Sequence, residues 1–147
     1  MSYPAGFSLQ RDNAEAEMIV LPISSITVVL GDVLELVDGT STWALATSSS
    51  NARTLKAVAQ EAATSSATEV KAILVTPSQL WVAETANASN SAHVGDRMAL
   101  SDANTVNNSG SDTTGATGVF QMLAVVGATA DNRILGRFCG LYGNATV

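Results

Sequence analysis

Residues 33 to 37, Val-Leu-Glu-Leu-Val, place Leu34 and Leu36 on one side and Val33, Glu35 and Val37 on the other. That period of two is the mark of a half-buried strand. A β-branched run over 26 to 30 precedes it, and Gly31-Asp32 predicts a turn between the two. Trp43 to Ala46 forms a short apolar stretch between Ser/Thr-rich segments. Residues 68 to 75 and 79 to 85 read as strands joined through Pro77-Ser78, and 119 to 126 with 133 to 139 as a hairpin around Gly-Ala-Thr-Ala-Asp-Asn. One segment departs from this period. In 51 to 63, Leu55, Val58, Ala59 and Ala62 fall at helical spacing among good helix formers, so local pattern favours a helix as much as a strand. Residues 86 to 93 and 103 to 118 are small and polar and read as loops; the second is long for an unstructured connection. The pattern predicts a mostly β chain, with 51 to 63 as its one segment of mixed character.

The frame Gly-Asp, two apolar residues two apart, then Asp occurs at 31 to 38 and again 64 positions later, at 95 to 102. Leu34 aligns with Met98 and Leu36 with Leu100, while the alternate positions change freely. Catalysis by Asp32 and Asp96 would need the two carboxylates to converge on one substrate, one of them with a shifted pKa. Each instead follows a glycine at the start of a strand. There glycine supplies a positive φ and aspartate bonds nearby backbone amides. Gly31, Asp32, Gly95 and Asp96 are therefore read as structural turns, ahead of ligand loops and well ahead of catalysis. On this reading, amides in place of both carboxylates lower the melting temperature and abolish no activity.

Composition narrows the rest. A 15.1 kDa chain fits a single β-domain, assigned here to 25–147, with residues 1–24 as an extended arm. Thirteen acidic residues against seven basic ones give a net charge of −6 and no cationic cluster, which argues against nucleic acid. No apolar run reaches eighteen residues and the N-terminus lacks a basic-then-apolar leader, so neither membrane insertion nor export is expected. Cys139 is the single cysteine, so it cannot form an internal disulfide, and it reads as an inert thiol. His93 lacks a catalytic or zinc frame, and Asp112 lacks the ligand spacing of a calcium loop. No cofactor, metal or enzymatic activity is expected. Trp43 and Trp81 suit a core or an interface better than a sugar platform. In the arm, Tyr3, Phe7 and Leu9 are costly to leave wet, and Pro4 and Pro22 limit the entropy lost on ordering. The arm is expected to seat those side chains on a neighbouring subunit, against the alternative that it is a strand of its own domain or a free tail. On the first reading, removing residues 2 to 16 leaves the melting temperature nearly unchanged.

The order of Leu-Gly-Asp-Val-Leu-Glu-Leu (30–36), Trp-Ala-Leu-Ala-Thr (43–47), Leu-Lys-Ala-Val-Ala (55–59), Glu-Val-Lys-Ala-Ile-Leu-Val (69–75), His-Val-Gly-Asp-Arg-Met-Ala-Leu (93–100) and the closing Phe120 to Phe138 resembles the small bacteriophage capsid cement, or head decoration, proteins. The resemblance covers roughly 25 to 139 and departs from the family pattern at 103 to 118. It implies an all-β architecture, a small β-barrel or β-sandwich with at most one short helix, and strand, not helix, over 55 to 61. It further implies a non-enzymatic virion protein on the outer surface of the capsid, with the major capsid protein and itself as partners. A homotrimer is expected, with a dimer as the alternative. The competing functional reading is a receptor- or carbohydrate-binding β-module of a phage fibre or tail, using Trp43, Trp81 and the polar loops.

Overall fold

The computed structural model describes residues 5–11, 16–109 and 116–139. Tyr3 and Asp112 lie outside them. In chain order the strands are β1 (Ser8–Arg11), β2 (Met18–Pro22), β3 (Val33–Leu36), β4 (Trp43–Leu45), β5 (Lys56–Ala59), β6 (Glu69–Leu74), β7 (Leu80–Thr85), β8 (Arg97–Met98), β9 (Leu100–Asp102), β10 (Thr105–Val106), β11 (Phe120–Val125) and β12 (Arg133–Phe138). They form a five-stranded sheet, β2-β6-β5-β3-β4, and a seven-stranded sheet, β8-β11-β12-β7-β10-β9, with β1 added on β7. The fold is all-β and barrel-like. Both sheets curl until their ends meet. In the larger one, the terminal strands β8 and β9 are a single bent strand interrupted at Ala99. In the smaller one, Ile23, just past β2, bridges Trp43 of β4 in parallel.

The two sheets are the same structure built twice. Strand β3 pairs β5 with Val33 opposite Val58 and Leu34 opposite Ala57. Strand β8 pairs β11 with Arg97 opposite Gln121 and Met98 opposite Phe120. Antiparallel β5–β6 and β2–β6 correspond to antiparallel β11–β12 and β7–β12. Leu36 opposite Trp43 corresponds to Leu100 opposite Val106, and the parallel Ile23–Trp43 closure to parallel Thr85–Val106. The repeated Gly-Asp frame is thus the visible part of a whole duplicated unit.

Equivalent positions fill equivalent interiors. Leu21, Leu34, Ala57, Ala59 and Val70 belong to a core cluster within the first unit. Their counterparts Ala83, Met98, Phe120, Met122 and Ile134 belong to the larger cluster. Bulk is redistributed: Leu21 and Ala57 in one unit become Ala83 and Phe120 in the other, the kind of volume-conserving exchange a core tolerates. Val33, Val58 and Ile73, on the opposite face of the five-stranded sheet, join the larger cluster. Strand β3 is therefore covered on both faces, where alternation alone predicts one.

Several local expectations change in this setting. Residues 56 to 59 are strand β5, not helix, and all four are buried. A strand buried on both faces becomes a continuous apolar run, which periodicity cannot tell from a helix. Among the described residues, helical geometry is limited to two 3-10 turns, Ser91–His93 and Thr129–Asp131. The run 26 to 30 is no strand; it contributes one bridge, Val28 to Ala63. Strands β6 and β7 lie in different sheets, so 75 to 79 is the link between units and not a hairpin. Buried Gln79 pins that link, accepting from Thr76 N at 2.8 Å and donating to Leu74 O at 3.0 Å. The described part of the N-terminal segment is built into the domain: β1 pairs β7 and β2 pairs β6. Of the three expectations for residues 1–24, the strand of its own domain fits the described ones.

Candidate interaction surface

Both Gly-Asp turns have one design. Gly31 and Gly95 have φ of 92° and 94°. Gly31 N donates to Ala59 O at 3.0 Å while Asp32 O accepts from Ala59 N at 2.8 Å. Gly95 N donates to Met122 O at 2.8 Å, and Asp96 O accepts from Met122 N at 3.0 Å. Each pair of residues thus docks on one residue of the adjacent strand. Each aspartate N–H also closes a tight turn, onto Val29 O or His93 O, both at 3.0 Å. The carboxylates differ. Asp32 is buried and accepts from Val29 N at 2.9 Å and Asn104 Nδ2 at 3.1 Å. Asp96 is half-buried and meets His93 Nδ1 at 3.0 Å. Both carboxylates are held by groups of their own neighbourhoods, so the arrangement positions backbone.

The aromatic residues expected to meet partners serve the interior instead. Phe7 lies in the larger core, its ring 5.4 Å from that of Phe120 and 5.1 Å from that of Phe138. Trp81 is fully enclosed, edge-on to Phe138 at 5.9 Å. Trp43 is buried in the smaller core. Leu9 is half-buried against the larger one. Phe7, Trp43 and Trp81 are therefore corrected from partner contacts to core residues. Each unit needs bulk at its centre, and an isolated aromatic in a strand does not reveal which face it takes. Leu9 keeps partial exposure, and Tyr3 lies outside the described residues.

Lys56 is a buried cation that alternation along 51 to 63 does not announce. Its Nζ donates to the carbonyls of Asn51 and Thr54, and Glu35 Oε2 lies 4.0 Å away. Burial pulls its pKa from 10.5 down to about 8, against the opposing pull of Glu35 and Cys139. A cleft of about 340 Å³ lies alongside, lined by Glu35, Asp38, Ser49, Ser50, Asn51 and Thr54 among others. The Lys56 side chain is 1% exposed and so is shielded from the cleft. Cys139 donates its thiol to Gly118 O at 3.0 Å. No group of three or more metal-ligating side chains occurs among the described residues, and no described helix is long and apolar enough to cross a membrane.

The surface features that stand out are apolar. Val29 and Leu30, ahead of the first Gly-Asp turn, are each 50% exposed, and Val94, the counterpart of Leu30, is 47% exposed. Met18 and Val20 on β2 are exposed as well. The sequence held a signal for the first set, since an aliphatic residue precedes glycine in both copies of the frame. No protein-family model, curated protein or solved structure matches this chain.

Proposed function

We propose that this chain is a structural virion protein that binds the outer surface of an assembled phage capsid and bridges neighbouring major capsid subunits. The observation that carries the reading is the pair Leu30 and Val94. Two copies of one rigid turn each hold an aliphatic side chain in solvent, where burial on a partner is worth on the order of 1 to 2 kcal/mol per residue. A shell repeats one subunit surface many times. A protein that repeats its own contact element can take two equivalent places on it, and simultaneous engagement turns two weak contacts into firm retention. The acidic balance (net charge −6) keeps the chain from competing for packaged DNA, and the resemblance to head decoration proteins points the same way. The reading includes contacts between copies on the capsid, a trimer or a dimer. The fibre-module alternative loses Trp43 and Trp81 as sugar platforms, because both are buried, and keeps only the polar loops.

The test adds purified protein back to heads that lack it, then images and counts subunits. Retention at hundreds of copies is expected, with DNA-filled heads bursting at a higher temperature than bare ones. Leu30→Asp with Val94→Asp should weaken retention at least tenfold while the melting temperature holds. Recovery of a few copies on tails, or equal burst temperatures with and without the protein, overturns the reading.

A further inference from the structure

The duplication exposes one difference between the units. On β7, the edge at Leu80–Val82 is covered by β1, antiparallel, with Ser8 opposite Val82 and Leu9 opposite Trp81. The register of the two units makes Met18–Val20 of β2 the counterpart of Leu80–Val82, since Leu21 opposite Val70 matches Ala83 opposite Ile134. Among the described residues, no strand covers Met18–Val20. The alternation of hydrogen bonds can be traced from both ends of the strand. Leu74 N donates to Glu17 O and Ile23 N to Thr68 O, so residues 17, 19, 21 and 23 direct their amides and carbonyls to β6. Met18 and Val20 direct theirs outward. Their side chains are 56% and 55% exposed.

We infer that this edge is a docking site for the same edge of a second copy, joining two five-stranded sheets through an antiparallel β2–β2 pair. Three observations select a second copy. The counterpart edge is completed by an antiparallel strand, the direction a two-fold axis imposes on identical strands. The strand Met-Ile-Val-Leu-Pro carries no charge, so it offers nothing to select a charged partner. It is also self-complementary. With Met18 opposite Val20 of the other copy, all four outward amides and carbonyls of each strand find partners, and the exposed side chains cover one another. Pro22, with no N–H to donate, then falls opposite Ala16, beyond the central pairs. Uncovered, such an edge invites uncontrolled strand addition. The contact is smaller than the roughly 1,200 Å² of a durable interface, so a dissociation constant on the order of 100 μM is expected in free solution. The inference concerns the isolated protein and stands or falls apart from capsid binding.

In the proposed register Ile19 faces Ile19 of the other copy as a non-hydrogen-bonded pair, with Cα atoms about 4.5 Å apart, within disulfide range. The test uses full-length protein with Cys139→Ser. Ile19→Cys in that background should give covalent dimers on mild oxidation, and Thr64→Cys should not. Sedimentation of the unmodified chain should show a monomer–dimer equilibrium, and Val20→Lys should abolish it with the melting temperature unchanged. A monomer at millimolar concentration without crosslinking overturns the inference, as does a dimer that survives Val20→Lys. Removing residues 140 to 147 should leave the dimer as it was; stronger dimerisation would show that the C-terminal segment takes this edge within its own chain, which also overturns it.

Discussion

Gly6 and Gly31 cross so closely that neither has room for a Cβ. A Cβ on Gly6 would stand 2.6 Å from Gly31 O, and one on Gly31 would stand 2.6 Å from Ala5 O. Phe7 N donates to the same Gly31 carbonyl at 3.1 Å. The start of the chain is therefore pressed onto the turn that begins the first repeated frame, and this contact directs Phe7 into the core.

That crossing separates two glycines that otherwise match. Gly95 has the same positive φ, but nothing lies within 4 Å of its would-be Cβ. Gly95→Ala should cost about 1 to 2 kcal/mol, the backbone term alone. Gly31→Ala adds a clash with the backbone of residues 5 to 7 and should cost at least about 3 kcal/mol. Denaturant titration of the two variants measures the difference. Equal losses would mean that the crossing yields freely.

Phe7 gives the second prediction. Its ring packs against Phe120 and Phe138, so Phe7→Ala should destabilise the domain by about 3 to 5 kcal/mol. Removing residues 2 to 16 takes away the ring and β1 together and should lower the melting temperature markedly. This reverses the expectation for a free arm. An unchanged melting curve would show that the N-terminal segment contributes nothing to the core.

The two aspartates should differ as their surroundings do. Asp32→Ala strands a backbone donor and an amide donor near the core and should cost about 2 to 3 kcal/mol. Asp96→Ala loses a partly solvated contact to His93 and should cost less than about 1 kcal/mol. Urea midpoints of the single variants test the order.

Lys56 makes stability depend on alkaline pH. Its folded-state pKa, about 8, lies below the ordinary 10.5, so between those values the unfolded chain binds the proton more readily. Stability should therefore rise from pH 8 to pH 10.5, by on the order of 3 kcal/mol, and the loss should be complete and constant below pH 8. Lys56→Met should remove this slope. The difference between the two proteins across pH 7.5 to 10.5 isolates the effect from other titrating groups. Parallel curves would place the amine in contact with water.

Much of the fold can be read along the chain, and what cannot has physical causes. Strands β3, β4, β6, β7, β11 and β12 fall within a residue or two of the apolar runs that predict them, because each carries enough β-branched or alternating residues to mark itself. The remaining strands of the larger barrel, β1, β8, β9 and β10, have two to four residues each and are defined by what they pair with. The aliphatic residue ahead of each Gly-Asp turn repeats in the sequence, but its exposure does not show there, since 26 to 30 reads as a strand. The β2 edge does not show there either, since its openness is a property of the sheet. The duplication shows in the sequence as one short frame, because matching core positions share a volume budget and not an identity: Ala57 answers to Phe120, and Leu21 to Ala83.

The sequence by itself determined the β class and the left-handed turns at Gly31 and Gly95. Those features are local: a φ near 90° favours glycine at its own position, and a strand's pattern repeats within a few residues. The tertiary structure alone decided that Lys56 to Ala59 is a central strand, that Phe7 and Trp81 point inward, and that β1 completes one unit while, among the described residues, its counterpart edge on β2 stays open. Each of these depends on which distant segment lies alongside. A strand with neighbours on both sides and cores on both faces keeps no local alternation, and an edge is open or closed only relative to a partner far away in the chain.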